Sequence, residues 1–423
     1  MTGKTADIRI DDLHKPVLSE LQQQIKAATD AQDIEISSEA ILEQAKAATG
    51  LSEFGEEDFK ERLALWVKAI NDDKNASNAT RYNMLQMYTR YAITRLRLED
   101  LLLKHPEILD INIDRPIIVA GLPRSGTTHL LNLISADTRL RSLPWWEATE
   151  PFPDPKENPG DDGIDPRWHR ASEGWNQQDA LLPHLKAMHG FDPDHISEDI
   201  ELQAIDFSSY LIEWLFFAPE WRDYSEQQDQ SHSYAYLKKA LQALTWLKGP
   251  NRWVIKCPQH MEQLPLLHKT FPDATIVISH RDPVASIQSA ITMSAYAARI
   301  SRNVVSYDEN AQLAEYWIDR YKRLLKHCTE DRDSLPEPQV IDVYFHELMN
   351  DTDAILRKIY QTADLPLTEE TLKALHAFID ANPKGKHGKV IYNLREDFKL
   401  EPETIRQQFD FYFQRFAVAV EVK

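Results

Sequence analysis

Cysteine is scarce in this chain of 423 residues, which contains only Cys257 and Cys328. Two distant thiols supply neither a disulfide framework nor a cysteine metal site, and they fit a reducing compartment. Glycine is scarce too, at 12 against 23 prolines, which favours stiff connections over flexible linkers. No apolar run approaches the roughly 18 residues of a membrane span. Met1 to Asp12 is polar and lacks the apolar core of a signal peptide. The expectation is a cytoplasmic chain without stable membrane insertion. Positive charge is also in deficit. A net charge of −19 leaves no basic face for nucleic acid, so an anionic ligand must be held by local cations.

What is present divides in two. The N-terminal part spans 1–110, of which residues 1–105 carry helical patterns and no convincing strand, with helices expected to begin near Ser38, over about 56–70 and over about 79–103. This part reads as a helical cap. From there to residue 423, strands alternate with helices. The strand candidates are 116–120, 252–256, 274–279 and 338–343, followed by helices at 126–136, 260–270, 283–298 and 352–362. Continuous apolar strands in that alternation predict an α/β fold with a parallel sheet covered on both faces. A mostly helical, aromatic-rich insertion fills about 145–250, and its stretch from Phe207 to Phe217 reads as a buried helix or as an apolar channel wall.

The most informative segment, 116–129, reads Pro-Ile-Ile-Val-Ala-Gly-Leu-Pro-Arg-Ser-Gly-Thr-Thr-His. An apolar strand enters a turn from Gly121 to Gly126 and leaves it as an apolar helix. That is the spacing of a phosphate-binding loop, whose backbone N–H groups converge on an anion at a helix N-terminus. A nucleoside triphosphatase would carry lysine where this chain has Thr127. The cation stands inside the loop instead, as Arg124. With Ser125, Gly126, Thr127 and Thr128 it would hold a diphosphate-like group. A second segment, Ile278-Ser279-His280-Arg281-Asp282-Pro283, ends a strand, and Ser289 lies two helical turns further on. Arg281 therefore falls at the carboxyl edge of the sheet, where open α/β sheets bind ligands. The two segments together predict a donor with two separated phosphate sites.

These motifs resemble the sulfotransferases that use 3′-phosphoadenosine 5′-phosphosulfate. Pro123-Arg124-Ser125-Gly126-Thr127-Thr128 matches their 5′-phosphosulfate loop, and Arg281 with Ser289 matches their 3′-phosphate pair. The likeness extends over roughly 115–415 and is nearest the bacterial branch with a helical N-terminal region and Leu143-Pro144-Trp145-Trp146-Glu147 after the loop. It implies a P-loop-type sheet and transfer of a sulfuryl group to a hydroxyl or amine of a small, lipophilic acceptor. Adenosine 3′,5′-bisphosphate would be the product, with no metal required. By the same resemblance, Lys256 and Arg124 would stabilise charge, and either His260 or Glu147 would take the acceptor proton. The segment Lys384-Gly385-Lys386 would close over the 3′-phosphate, and Phe345 would lie near the adenine. The chain departs from the family at His129, where an aromatic stacks in cytosolic members, and at Pro258, where those members place a histidine. The rival readings are a P-loop kinase or nucleoside triphosphatase, and a non-catalytic nucleotide-binding scaffold. The acceptor's identity and the oligomeric state stay open.

Overall fold

The computed structural model describes residues 7–32, 34–190, 192–383 and 385–423. Seven strands occur among them: β1 (Asp7–Ile8), β2 (Ile117–Gly121), β3 (Leu140–Arg141), β4 (Arg252–Lys256), β5 (Thr275–His280), β6 (Val340–Tyr344) and β7 (Lys389–Val390). Five form a parallel sheet in the order β3-β4-β2-β5-β6. The four strands expected from the sequence are β4, β2, β5 and β6, the last of them at one edge. The edge strand β3 and the short parallel pair of β1 with β7 are too brief to leave a period, and β1 corrects the expectation of no strand before residue 105.

Alternation along the strands sorts the sheet's two faces. Ile117, Val119, Val254, Val277 and Val343 pack under the helix Thr127–Ser135 and the helix Thr352–Thr362. Ile118, Ala120, Ile255, Ile276 and Ile278 face the larger core. Both faces are covered, which is why the strands read as unbroken apolar runs.

The N-terminal helices are α1 (Glu20–Asp30), α2 (Ser38–Thr49), α3 (Phe59–Asp72) and α4 (Asn78–Lys104). Ser19, Ser37 and Ser77 accept hydrogen bonds from the first-turn N–H groups of α1, α2 and α4, which fixes where those helices start. This bundle shares its core with Phe207, Ile212, Phe216 and Trp221 of the insertion. Leu98 and Leu102 of α4 belong to the core beneath the sheet. No helix among the described residues is long and apolar enough to cross a membrane.

The stretch from Phe207 to Phe217 is not an extended helix. Phe207 has a left-handed φ of 53°, and only Tyr210–Trp214 form a 3-10 turn. The side chain of Gln259 explains how such a turn survives burial. It accepts from Tyr210 N at 3.0 Å and donates to Ser208 O at 3.0 Å, so the backbone groups that a helix would have satisfied keep partners.

A buried charge cluster joins the insertion to the bundle. Asp206 accepts from Arg62 at 2.8 Å and from Arg95 at 2.9 Å, with His232 Nδ1 at 2.8 Å. Burial raises the Asp206 pKa, but the His232 hydrogen bond and the two arginines outweigh it and hold the carboxyl below its usual range. A depressed folded pKa contributes stability above the unfolded value of about 3.9, lost as pH falls through the folded value. Asp206→Ala should therefore cost about 3–5 kcal/mol in urea unfolding at pH 7, since it leaves the buried Arg95 guanidinium without a carboxylate and Arg62 with only Asp58. The difference from wild type should shrink as the pH is taken below about 4. A loss under about 1 kcal/mol at pH 7 would show that the cluster is not closed as described.

Candidate active site

The turn between β2 and the helix Thr127–Ser135 is built from conformations that few residues adopt. A Cβ on Gly121 would lie 2.7 Å from Thr127 Cγ2 and 2.9 Å from Ser279 Cβ, so only glycine fits between strand and helix. Gly126 has φ 89°, and a Cβ there would come within 2.9 Å of the Phe345 ring. Arg124 has φ 66°, an uncommon value for a residue with a side chain. Three contacts hold the strained turn. Ser125 Oγ donates to Leu122 O at 2.6 Å, Tyr321 OH donates to Pro123 O at 2.9 Å, and Arg281 Nη1 donates to Arg124 O at 2.7 Å. No side chain caps the helix that follows. Its first N–H groups and the positive end of its dipole are left to an anion.

The second expected motif arrives at the same edge, because Gly121 stands opposite Ser279 in the β2–β5 register. Arg281 lies just beyond that strand with its guanidinium 4.0 Å over the Phe345 ring. Ser289 comes from the helix Pro283–Ser301. Arg124 Nε donates to Ser289 Oγ at 3.1 Å, and Ser289 Oγ donates to Tyr392 OH at 3.0 Å. Residues far apart in sequence thus form one cationic cleft edge. Phe345 touches the loop and Arg281, whereas His129 sits 6.2 Å from the Phe378 ring.

Lys256 ends β4 at this edge. It is 1% exposed, and its Nζ donates to Thr128 Oγ1 at 3.3 Å and pairs with Glu198. Glu198 was missed by the sequence reading, as were His189 and His195. Burial first, then Arg124 and Lys256, push the His189 imidazole well below its usual range. Burial takes His195 down to about 4, with Asp192 opposing and Lys256 adding to the fall. Both rings are therefore neutral at pH 7. The available signal was Asp192-Pro193-Asp194-His195-Ile196-Ser197-Glu198-Asp199, an unusual density of carboxylates around a histidine.

The segment carrying Glu198 is held in place by the motif after the loop. Trp145 N donates to His195 O at 2.8 Å, Trp146 N to Pro193 O at 3.1 Å, and Ser197 N to Leu143 O at 2.7 Å. Asn132, on the loop helix, accepts from Ile196 N at 3.0 Å and donates to Ile196 O at 3.1 Å. Leu143 to Trp146 thus act as a rail for the carboxylate that meets Lys256.

The two expected bases are both buried and already paired. Glu147 is 1% exposed, with Arg141 Nη2 at 2.7 Å and Lys248 Nζ at 3.4 Å. Arg141 stands opposite Trp253, three residues and about 10 Å before Lys256. His260 has no exposed surface. Its Nδ1 lies 2.9 Å from Tyr234 OH and its Nε2 lies 3.2 Å from Asp199 Oδ2. Both side chains are enclosed in this structure. In the basic segment, Lys384 lies outside the described residues. Gly385 has φ 78°, and Lys386 Nζ donates to Asn382 Oδ1 at 3.2 Å. The same segment leads through β7 to Tyr392, which does meet Ser289. Among the described residues no group of side chains is arranged to hold a metal ion.

Two solved structures share this fold. Sulfotransferase STF9 from Mycobacterium avium is similar in structure, with a TM-score of 0.80 and 24% identity over 93% of this chain and 100% of that one. Sulfotransferase STF1 from Mycobacterium tuberculosis H37Rv gives a TM-score of 0.76 and 24% identity over 89% of this chain and 99% of that one. No curated protein matches the sequence. Residues 116–369, from the start of β2 past the helix that follows β6, match the model of the Sulfotransferase family, and the chain belongs to that family.

Proposed function

We propose that the protein transfers a sulfuryl group from 3′-phosphoadenosine 5′-phosphosulfate to a hydroxyl or amine of a small, lipophilic acceptor. The observation that carries this reading is the Arg124–Ser289 contact, which joins a phosphate loop to a second cationic site on one sheet edge. A donor with phosphate at both ends of its ribose fits that pair of sites. The loop N–H groups, Ser125, Gly126, Thr127, Thr128 and Arg124 take the phosphosulfate end, and Arg281 and Ser289 take the 3′-phosphate. As the family resemblance implies, the basic segment that carries Lys384, Gly385 and Lys386 would close over the 3′-phosphate once the donor is bound. The acceptor side is supported by the apolar cluster of Ile200, Tyr210 and Cys257, with Leu211 and Trp214 packed against it. Tyr210 and Cys257 lie near enough to Glu198 for its charge to raise their pKa values beyond the larger effect of burial.

The chemistry follows from the charges. As the acceptor oxygen bonds to sulfur, the bond from sulfur to the bridging phosphate oxygen breaks. Negative charge grows on that bridging oxygen. Arg124 and Lys256 stabilise it, and the low-dielectric edge of the sheet strengthens both contacts. In the resting protein Lys256 is paired with Glu198. When Lys256 turns to the leaving oxygen, Glu198 is freed to accept the acceptor's proton. Adenosine 3′,5′-bisphosphate leaves. Glu198 takes this role in place of His260 or Glu147 because it alone of the three is partly open and adjoins the loop. Two buried thiols with no disulfide suit a cytoplasmic setting.

Adenosine 3′,5′-bisphosphate at 100 times its dissociation constant should stabilise the fold by about 2.7 kcal/mol in thermal unfolding. Adenosine 5′-phosphate at equal concentration should do markedly less. Equal shifts would remove the assignment of Arg281 and Ser289, and a larger shift from ATP with magnesium would favour a kinase.

Glu198→Gln should lower kcat by about 10²–10⁴-fold, the usual worth of a general base, with bisphosphate affinity kept within a few-fold. Arg124→Ala should lower kcat by at least about 10²-fold, with Arg124→Lys recovering part of it. Retained turnover in Glu198→Gln, measured by steady-state sulfation, would return the base to another residue.

A further inference from the structure

Arg281 is held from three directions. Its Nε and Nη2 donate to the two carboxylate oxygens of Glu421, each at 2.8 Å. Its Nη1 donates to Arg124 O at 2.7 Å, and its plane lies 4.0 Å over Phe345. A guanidinium has five N–H donors in a fixed fork. Three are used here. The rest, on Nη1 and Nη2, lie on the edge away from the Nε side that the carboxylate grips.

The segment that presents Glu421 is fastened independently of that carboxylate. Glu421 N and Val422 N donate to Asp282 Oδ2 at 2.8 and 3.3 Å. The other oxygen, Asp282 Oδ1, caps the helix bearing Ser289 by accepting from Val284 N at 2.9 Å. Arg406 donates to Val422 O and lies 3.8 Å from Asp282. Asp282 therefore ties three things together: the position of Arg281, the start of the Ser289 helix and the strap carrying Glu421.

We propose that Glu421 is a positioning residue for the donor's 3′-phosphate. Its bidentate grip fixes the Arg281 fork so that the unused N–H donors face the group bound beside Ser289. This rests on the reading of Arg281 and Ser289 as the 3′-phosphate site. The pair is partly exposed, with side chains 22% and 29% accessible, so its direct contribution to stability is small. What it supplies is orientation. An arginine side chain is long and rotamer-rich, and ordering it before the ligand arrives lowers the cost of binding. The carboxylate adds negative charge near a dianion, a penalty that screening and the neighbouring Arg124 reduce. A strap that merely blocked the site would gain nothing from three anchors that do not involve Arg281.

The test is calorimetric titration of the full chain with adenosine 3′,5′-bisphosphate and with adenosine 5′-phosphate. Glu421→Gln keeps the backbone anchors and removes the charge and the second acceptor oxygen. It should weaken the bisphosphate about five- to tenfold and leave the monophosphate unchanged, so that the monophosphate also reports an intact fold. In steady-state assays the donor KM should rise with kcat unaltered. In an Arg281→Ala background, adding Glu421→Gln should have no further effect, because the carboxylate acts through the arginine. Tighter bisphosphate binding by Glu421→Gln would overturn the proposal and make the strap a competitor. An unchanged ratio of the two affinities would reduce Glu421 to a surface pair. Wild-type protein that does not distinguish the two nucleotides would remove the 3′-phosphate reading itself, and this proposal with it.

Discussion

The turn from Gly121 to Thr127 is the constraint on which the rest of the site depends. Its left-handed residues, Arg124 and Gly126, bring the loop backbone round to the uncapped helix end. A side-chain-bearing residue in that conformation costs on the order of 1–3 kcal/mol. The surroundings oblige it: Tyr321 on Pro123 O, Ser125 on Leu122 O and Arg281 on Arg124 O. Arg281 therefore does two things at once. It steadies the first phosphate site through the backbone of Arg124 while its remaining donors serve the second.

An acidic chain must hold an anionic donor with few cations, and each cation at this edge already has a partner. Arg124 has the Ser289 hydroxyl, Lys256 has Glu198, and Arg281 has Glu421. These partners differ in kind from those in the interior. Asp206 with Arg62 and Arg95, or Arg320 with Glu213 and Glu262, are enclosed clusters whose disruption strands a buried charge. The Arg124 and Lys256 contacts at the sheet edge adjoin the cleft, where an incoming phosphate, sulfuryl oxygen or acceptor proton can take over one side of each pair.

The sheet's central strands were legible because both of their faces are buried, so Ile117 to Ala120 and Ile276 to Ile278 read as unbroken apolar runs. The loop was legible because its spacing is dictated by backbone geometry, with Gly121 and Gly126 where no Cβ fits. Other features were hidden for physical reasons. Two-residue strands such as Leu140–Arg141 have no period to detect. The apolar run after Phe207 announced burial, but its conformation is set by the distant Gln259 side chain. His260 follows Lys256 closely in sequence, yet the 3-10 turn between them carries its ring into the core beside Tyr234. Glu198 lies in a loop whose position comes from long-range contacts with Leu143, Trp145 and Asn132, which no local pattern encodes.

The most direct test of the account is group transfer itself. The full chain, freed of metal with a chelator, would be incubated with isotope-labelled 3′-phosphoadenosine 5′-phosphosulfate and a panel of alcohols, phenols and amines. Mass spectrometry would then follow both the acceptors and the nucleotide. The account predicts labelled sulfate on an apolar acceptor and one equivalent of adenosine 3′,5′-bisphosphate for each transfer, with the rate unaffected by the chelator. Tight binding of the nucleotide with no acceptor ever modified, or a phosphorylated product from ATP, would contradict it.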